Sequence, residues 1–336
     1  MTEISQLIDH MVNLTKVLRE EIKNKQNSEA IIRIHNEFNS SLIKKLNFET
    51  FSDTYAQIII YGLFSAQLIE KEKLTLEKVA SLAGKTNPFL ENTFTVFNKE
   101  VTLIINPETI GINEFLKYLN RYDLKTLITE FFKDRKIANP LIHLYGLFLS
   151  KYDPRKQIER GVYYTPDPIV SFIIKSVDLL LKKYLKLKSG LNDPSAIILD
   201  PAMGTGTFLN EIIKVIKDTF DKDKENLSQE SRLTEWRQYI SSDLLNRIFG
   251  FEIMINPYII AHLQLFLLLE ATGFNSKKNR KRIGVFLTNT LEGTHRNQPD
   301  LTEYLEKKPI LDEETYSANE IKINTPISVV IESSVF

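Results

Sequence analysis

Cysteine is missing from the sequence, which excludes disulfides, thiolate metal sites and a cysteine nucleophile and fits a reducing, cytoplasmic setting. Net charge is missing too, because 43 lysines and arginines balance 43 aspartates and glutamates. No overall basic footprint therefore announces nucleic acid. The sequence has no amino-terminal apolar signal region and no apolar run of membrane length, so no membrane partner is expected. Its five histidines are scattered, none at the spacing of a metal site. Glycine is sparse, 12 residues in 336, so two glycines one residue apart after a strand-like run stand out. The apolar fraction, 43 %, is ordinary for a globular chain, and the length suits two domains or a domain and a half.

The first half of the chain reads as a succession of amphipathic helices. Apolar residues recur at helical spacing at Leu7, Met11, Leu14 and Leu18, then at Tyr55, Ile58, Ile59, Leu63 and Ala66, then at Phe115, Leu116, Leu119, Leu124, Ile128 and Phe131. Asn106-Pro107 and Asn139-Pro140 mark helix breaks, and Tyr152 to Lys156 reads as a hinge. The expected organisation is a helical domain over 1–157 followed by an α/β domain over 158–336.

In the second half, Ala196-Ile197-Ile198-Leu199 is a short, apolar, β-branched run that suits a buried parallel strand. From Phe208 onward Leu209, Ile212, Ile213 and Ile216 follow helical spacing. Between them lies Asp200-Pro201-Ala202-Met203-Gly204-Thr205-Gly206-Thr207, a loop joining the carboxyl end of a strand to the amino end of a helix. Gly204 and Gly206 allow a positive φ and close approach of a ligand to the backbone, and the helix start offers unpaired N–H donors. The G-x-G spacing lacks the third glycine of a dinucleotide fingerprint and the Gly-Lys-Ser/Thr ending of a P-loop. Phosphate cradling is therefore the weaker reading, and a purely structural strand-to-helix turn is the alternative.

Three more segments flank this loop. Gly161-Val162-Tyr163-Tyr164-Thr165-Pro166 leads into a helix carrying Ile169, Phe172, Ile173 and Val177. Arg247 to Glu252 is a second strand-like run ending in an acid, a position from which one carboxylate can accept from both hydroxyls of a ribose. It lies further along than the usual ~20 residues, and the charged stretch from Asp218 to Arg237 reads as an insertion or an extended helix end. Ile283 to Leu291 is a third strand-like run whose end presents the amide side chain of Asn289.

In this order the four segments resemble the N6-adenine DNA methyltransferases of bacterial restriction-modification systems, in particular the large single-chain enzymes in which a helical segment precedes the methyltransferase domain. The family pattern of G-x-Y-Y-T-P, D-P-A-x-G-T-G-x-F-L, G-F-E-x-x-x-x-P-Y-x-x-A-H-L and T-N-T-L is matched from Gly161 through Leu291. Phe51 to Gln57, followed by Tyr61-Gly62-Leu63-Phe64, is similar to the helical connector of those enzymes. No paired-acid and lysine nuclease constellation precedes it.

The resemblance implies S-adenosylmethionine as cofactor and DNA as partner. It places Tyr164, Thr165 and Pro166 at the methionine end. Asp200, Pro201, Ala202, Gly204 and Gly206 would form the loop around the sulfonium and amino-acid moiety, and Glu252 would take the ribose hydroxyls. Asn289 would approach the exocyclic amine of the adenine, with Ile253 packed on the ring face. Phe208 would either touch the ligand or seat the helix on the sheet. The implied fold is an all-helical N-terminal domain followed by an incomplete Rossmann-like methyltransferase sheet, α/β in class, with four parallel strands near Ile197, Phe249, Val285 and Val330.

The departure from the family comes after the strand-like run Pro326 to Ile331. There the family has its catalytic N-P-P-Y, whose side-chain amide and proline carbonyl accept hydrogen bonds from the target amine while the aromatic ring stacks the extruded base. Here the residues are Glu332-Ser333-Ser334-Val335-Phe336, and no Pro-Pro dipeptide occurs anywhere. Asn256-Pro257-Tyr258 supplies the right residue types but reads as a helix start, and Asn87-Pro88-Phe89 lies in the N-terminal region, away from the other segments. No catalytic residue is therefore assigned, and the expectation is a truncated, catalytically incomplete methyltransferase. The alternatives are half of a split enzyme completed by another polypeptide, which an exposed edge strand near Val329 would favour, or a non-catalytic S-adenosylmethionine-binding interaction protein. The basic stretch Lys277 to Arg282 reads mainly as a solvated loop, and His262 as a packing residue.

Overall fold

In the computed structural model the described residues are 2–41, 46–70, 72–133, 139–154, 165–274, 281–291 and 311–332. They fall into two compact units, Met1–Val162 with His295–Thr315, and Tyr163–Thr294 with Tyr316–Phe336. No helix among the described residues is long and apolar enough to cross a membrane.

The first unit holds eight helices among its described residues: α1 (Glu3–Asn24), α2 (Glu29–Ser41), α3 (Phe48–Ile69), α4 (Leu76–Ala83), α5 (Pro88–Lys99), α6 (Ile112–Leu119), α7 (Leu124–Lys133) and α8 (Pro140–Tyr152). The 3.6-residue periodicity of α1 buries Leu7, Met11, Leu14, Leu18 and Ile22 on one face, which packs on α3. Helix α3 is apolar nearly all round and is buried from Phe51 to Leu68, apart from Thr54 at intermediate exposure, as the central helix of a bundle must be. Asn47 caps α3 through Oδ1, which accepts from Thr50 N at 2.8 Å. Asn87 caps α5 in the same way, accepting from Phe89 N at 3.0 Å. The Asn87-Pro88-Phe89 phrase is thus a helix start.

The second unit is a sheet of four parallel strands, β1 (Ile198–Asp200), β2 (Ile248–Glu252), β3 (Val285–Leu287) and β4 (Val329–Val330), in the order β3-β2-β1-β4. The strand-like runs of the sequence all become strands, shorter than their apolar stretches. Five further helices accompany them: α9 (Asp167–Lys183), α10 (Thr207–Asp223), α11 (Gln229–Ser242), α12 (Ile255–Ala271) and α13 (Asp312–Asn324). One face of the sheet presents Phe249, Phe251 and Phe286 to Ala318 and Ile321 of α13. On the other face a Cβ built on Gly250 would strike Leu209 of α10, at 2.7 Å, and Met203 of the loop before it. The layers are therefore helix, sheet, helix.

The charged stretch that lengthens the connection from β1 to β2 forms the end of α10 and the greater part of α11. Helix α11 is held by Trp236, fully buried and 5.1 Å from the ring of Phe220. Arg247, which opens the second strand-like run, is 3 % exposed. Its guanidinium donates to Asp243, to the carbonyls of Leu191 and Ala196, and to the hydroxyl of Tyr239. This charge pins the start of β2 to the chain before β1.

Candidate functional site

The strand order reverses beside β1, with β2 and β3 on one side and β4 on the other. In doubly wound sheets the crevice at the carboxyl ends of the strands beside such a reversal is where ligands bind. Asp200 ends β1, Glu252 ends β2, and Thr288-Asn289 follows β3. Parallel pairing brings these ends together, with Asp200 in register with Gly250 and Glu252 with Leu287.

The glycine loop turns as its residue types require. Gly204 has φ 56° and Gly206 φ 82°, both left-handed. A Cβ on Gly204 would meet nothing within 4 Å, so the backbone there borders open space. At Gly206 it would come within 3.1 Å of Ala261 Cβ, so this glycine lets α10 start against α12. The first glycine is where a ligand can approach, and the second is where two helices do.

Hydrogen bonds lace the strand ends into one unit. Gly204 N donates to Glu252 Oε2 at 2.8 Å and Met254 N to Glu252 Oε1 at 2.7 Å. Met203 N donates to Phe251 O at 3.0 Å and Thr288 N to Glu252 O at 2.8 Å. The hydroxyl of Thr290 donates to the carbonyl of Pro201, tying the loop after β3 to the loop after β1. The backbone of Ile253 also bonds the Glu252 carboxylate, and two carboxylate oxygens with about four lone-pair sites still leave acceptor capacity for further donors.

The two carboxylates are shielded from water, and burial raises the pKa of each above its ordinary value. Asp200 is pushed up to about 8, chiefly by desolvation. A hydrogen bond from Ala202 N to Oδ1, 3.2 Å, works against this, while the charges of Glu252 and Glu332 add to it. Asp200 Oδ2 is buried with no hydrogen-bond partner among the described residues. Burial therefore keeps the Asp200 proton on to a higher pH than an exposed aspartate would hold it.

Of the other sequence-selected residues, Ala202 is exposed, Pro201 is half-buried, and Ile253 is 42 % exposed directly after a fully buried strand. Asn289 is half-buried, and its Oδ1 accepts from Leu291 N at 3.0 Å. Phe208 lies in the first turn of α10 and is 5 % exposed. Thr165 and Pro166 precede α9, which packs along α10. Tyr164, with Gly161 to Tyr163, lies outside the described residues, as do Lys277 to Arg280 and Ser333 to Phe336. Asn256, Pro257 and Tyr258 form the first turn of α12 and are buried. His262 of the same helix is fully buried, edge-on to Tyr258 at 4.8 Å. Among the described residues no group of acids and histidines could hold a metal ion.

Sequence reasoning missed Thr290, Lys322 and Glu332. Thr290 and Lys322 act through contacts 89 and 33 residues apart along the chain, and no local pattern announces those. Glu332 follows β4, and its charge reaches Asp200.

A family model described as N-6 DNA methylase matches residues 138–324. No curated protein matches the sequence. Among solved structures, the chain is similar to DrdV in a complex with DNA, with a TM-score of 0.66 and 18 % identity, over 98 % of this chain and 28 % of that one. It is also similar to the ATP-dependent Type ISP restriction-modification enzyme LlaBIII bound to DNA, with a TM-score of 0.62 and 18 % identity, over 97 % of this chain and 20 % of that one. A nuclease-deletion mutant of the Type ISP enzyme LlaGI, in complex with a DNA substrate mimic, matches with a TM-score of 0.57 and 17 % identity over 98 % of this chain and 26 % of that one. These likenesses show a shared fold, and the chain spans between a fifth and just over a quarter of the length of those proteins.

Proposed function

Since the chain belongs to the N-6 DNA methylase family, we propose that its sheet unit is an S-adenosylmethionine site and that the chain forms the cofactor-binding part of an adenine-N6 DNA methyltransferase of a restriction-modification system. The observation that carries this reading is the unpartnered, buried Oδ2 of Asp200 beside a glycine with open space over its backbone. A buried carboxylate oxygen without a partner is costly. The donor it lacks is one that an α-amino group supplies.

The residues fit the cofactor end by end. Asp200 holds the methionine amino group, and the backbone of Ala202 and Gly204 borders the sulfonium. Glu252 accepts from the ribose hydroxyls while Gly204 N and Met254 N keep it oriented. Ile253 offers an apolar surface to the flat adenine ring, and Asn289 meets the ring's exocyclic amine. Tyr164, Thr165 and Pro166 close the methionine end, and Phe208 seats α10 on the sheet. When bound, S-adenosylmethionine supplies a methyl group activated by its sulfonium. The chain's own part is to bind and orient that group and to keep water from the buried carboxylates. By its relation to the DNA-bound proteins above, DNA is the proposed macromolecular partner.

The target amine of adenine needs acceptors and a stacking ring, and after β4 the sequence reads Glu332-Ser333-Ser334-Val335 where the family has N-P-P-Y. A second reading, in which another polypeptide supplies that motif, is favoured by one observation. Among the described residues strand β4 pairs on one side only, and Val330 is 62 % exposed.

Isothermal titration with S-adenosylmethionine tests the cofactor reading, with Asp200→Ala and Glu252→Ala as controls. Binding by the parent chain, weakened roughly a hundredfold in each control by loss of a charge-assisted contact, is the expected result. Absence of binding by a folded parent chain overturns the reading. Methyl transfer to adenine-containing duplex DNA by this chain alone would overturn its dependence on a further polypeptide.

A further inference from the structure

Lys322 sits on α13, outside the segments that the resemblance assigns to the cofactor site, and its ammonium reaches the loop that follows β3. Its Nζ donates to Thr288 Oγ1 at 3.0 Å and to Asn289 O at 2.7 Å. The same ammonium lies over the ring of Phe251, 5.6 Å from the ring centre. The same helix is seated on the sheet by Ala318 and Ile321 against Phe249, Phe251 and Phe286, so the lysine is anchored on a rigid element. Charge-assisted hydrogen bonds from such an anchor fix a loop more firmly than neutral ones.

The loop it holds has two other attachments. Thr288 N donates to the carbonyl of Glu252, and the Thr290 hydroxyl donates to the carbonyl of Pro201. Both of these tie the loop to the strand ends beside it, whereas Lys322 ties it to the helix layer beneath the sheet. The three contacts fall on consecutive residues, 288, 289 and 290, with Asn289 in the middle. The Asn289 side chain is turned back onto Leu291 N, so its direction follows from the backbone that Lys322 fixes.

We propose that Lys322 is a positioning residue for base recognition in the cofactor site: by holding the Thr288-Asn289 backbone it aims the Asn289 amide at the 6-position of the purine. This rests on the reading above that Asn289 meets the adenine amine. A side chain placed to within a fraction of an ångström discriminates between purine edges, whereas one free to swing does not. The consequence of losing Lys322 is thus a loss of selectivity at the 6-position rather than a uniform loss of binding.

The test is calorimetric titration with S-adenosylhomocysteine and with S-inosylhomocysteine, which carries an oxygen in place of the 6-amino group. The parent chain is compared with Lys322→Met, which keeps an apolar stem of similar length and removes the donors, and with Lys322→Arg. The parent is expected to prefer the 6-amino compound. Lys322→Met should weaken S-adenosylhomocysteine about tenfold, the value of one good hydrogen bond, and change S-inosylhomocysteine by less than about twofold. Lys322→Arg should restore much of the preference. Equal weakening of both compounds, or of neither, overturns the proposal. If Lys322→Met does not fold, Thr288→Val removes one of the lysine's acceptors at nearly constant volume, and an undiminished preference in that variant overturns it instead. A parent chain that binds neither compound overturns the cofactor reading itself.

Discussion

Asp53 in the helical unit and Asp200 in the sheet unit are equally withdrawn from water, 2 % and 1 % exposed, yet only one has its carboxylate satisfied. Asp53 accepts from the hydroxyl of Tyr152 and has Arg19 at 4.0 Å. Tyr152 in turn stacks on Phe148 and closes the end of α8. Burial and the neighbouring carboxylate together push the Tyr152 phenol well above its ordinary range, which keeps it a hydrogen-bond donor. Asp200 has one backbone N–H and a bare second oxygen. A buried polar group that serves only the fold is paired within the fold. One left open is a candidate for pairing with something that comes and goes.

Substitution separates the two most sharply. Removing the Asp53 carboxylate takes the acceptor from a buried phenol hydroxyl, so Asp53→Ala should cost about 1–3 kcal/mol of stability, read by denaturant unfolding, while the folded fraction keeps its cofactor affinity. Asp200→Asn should do the reverse. It removes a desolvated acid that the cofactor-free fold does not need, and stability in the absence of cofactor should hold or rise while S-adenosylmethionine binding falls. Equal destabilisation by both substitutions breaks the comparison.

The next effect is in pH. Asp200 in the folded protein, pushed up to about 8, holds its proton more tightly than in the unfolded chain, where the carboxyl has an ordinary pKa near about 4. Between those two values the folded state binds more protons than the unfolded one, so its contribution is fully present below about pH 4 and is lost as pH rises toward 8. Denaturant unfolding across that window should show the decline, and Asp200→Asn should flatten it. An ammonium placed beside Asp200 favours the carboxylate, so cofactor binding should release a fraction of a proton near pH 7. Titration in phosphate and in Tris buffer, whose ionisation enthalpies differ, reads this directly. Equal heats in the two buffers would show that Asp200 is already ionised.

The same contrast marks what sequence alone could reveal. The four strands were legible because parallel strands buried on both faces leave short apolar runs, and the loop was legible because only glycine takes φ 56° and 82° without strain. Asp200 and Glu252 were legible as the residues that end those runs. Tertiary contacts were not. Arg247 was legible only as the first residue of a strand-like run, whereas its guanidinium is buried on four partners. Thr290 entered only as part of the T-N-T-L pattern and Lys322 not at all, because their contacts form only when α13 and two strand ends are brought together. Trp236, in a charged stretch that reads as an insertion or an extended helix end, is the anchor of α11.

Within the loop itself the two glycines carry the comparison to its smallest scale. Both are left-handed, so an alanine at either costs about 1–2 kcal/mol of backbone strain. At Gly206 the added Cβ also presses on Ala261, 3.1 Å away, where two packed helices can yield only slightly. Gly206→Ala should therefore be the less stable variant in denaturant unfolding, with its cofactor affinity changed little in the folded fraction. At Gly204 the added methyl meets no protein atom within 4 Å, so Gly204→Ala should lose only the backbone term. Its methyl would instead occupy the space through which a ligand approaches, and titration should show weakened S-adenosylmethionine binding. If Gly204→Ala binds as the parent does while Gly206→Ala does not, the approach lies on the helix side of the loop, and Gly206 rather than Gly204 faces the ligand.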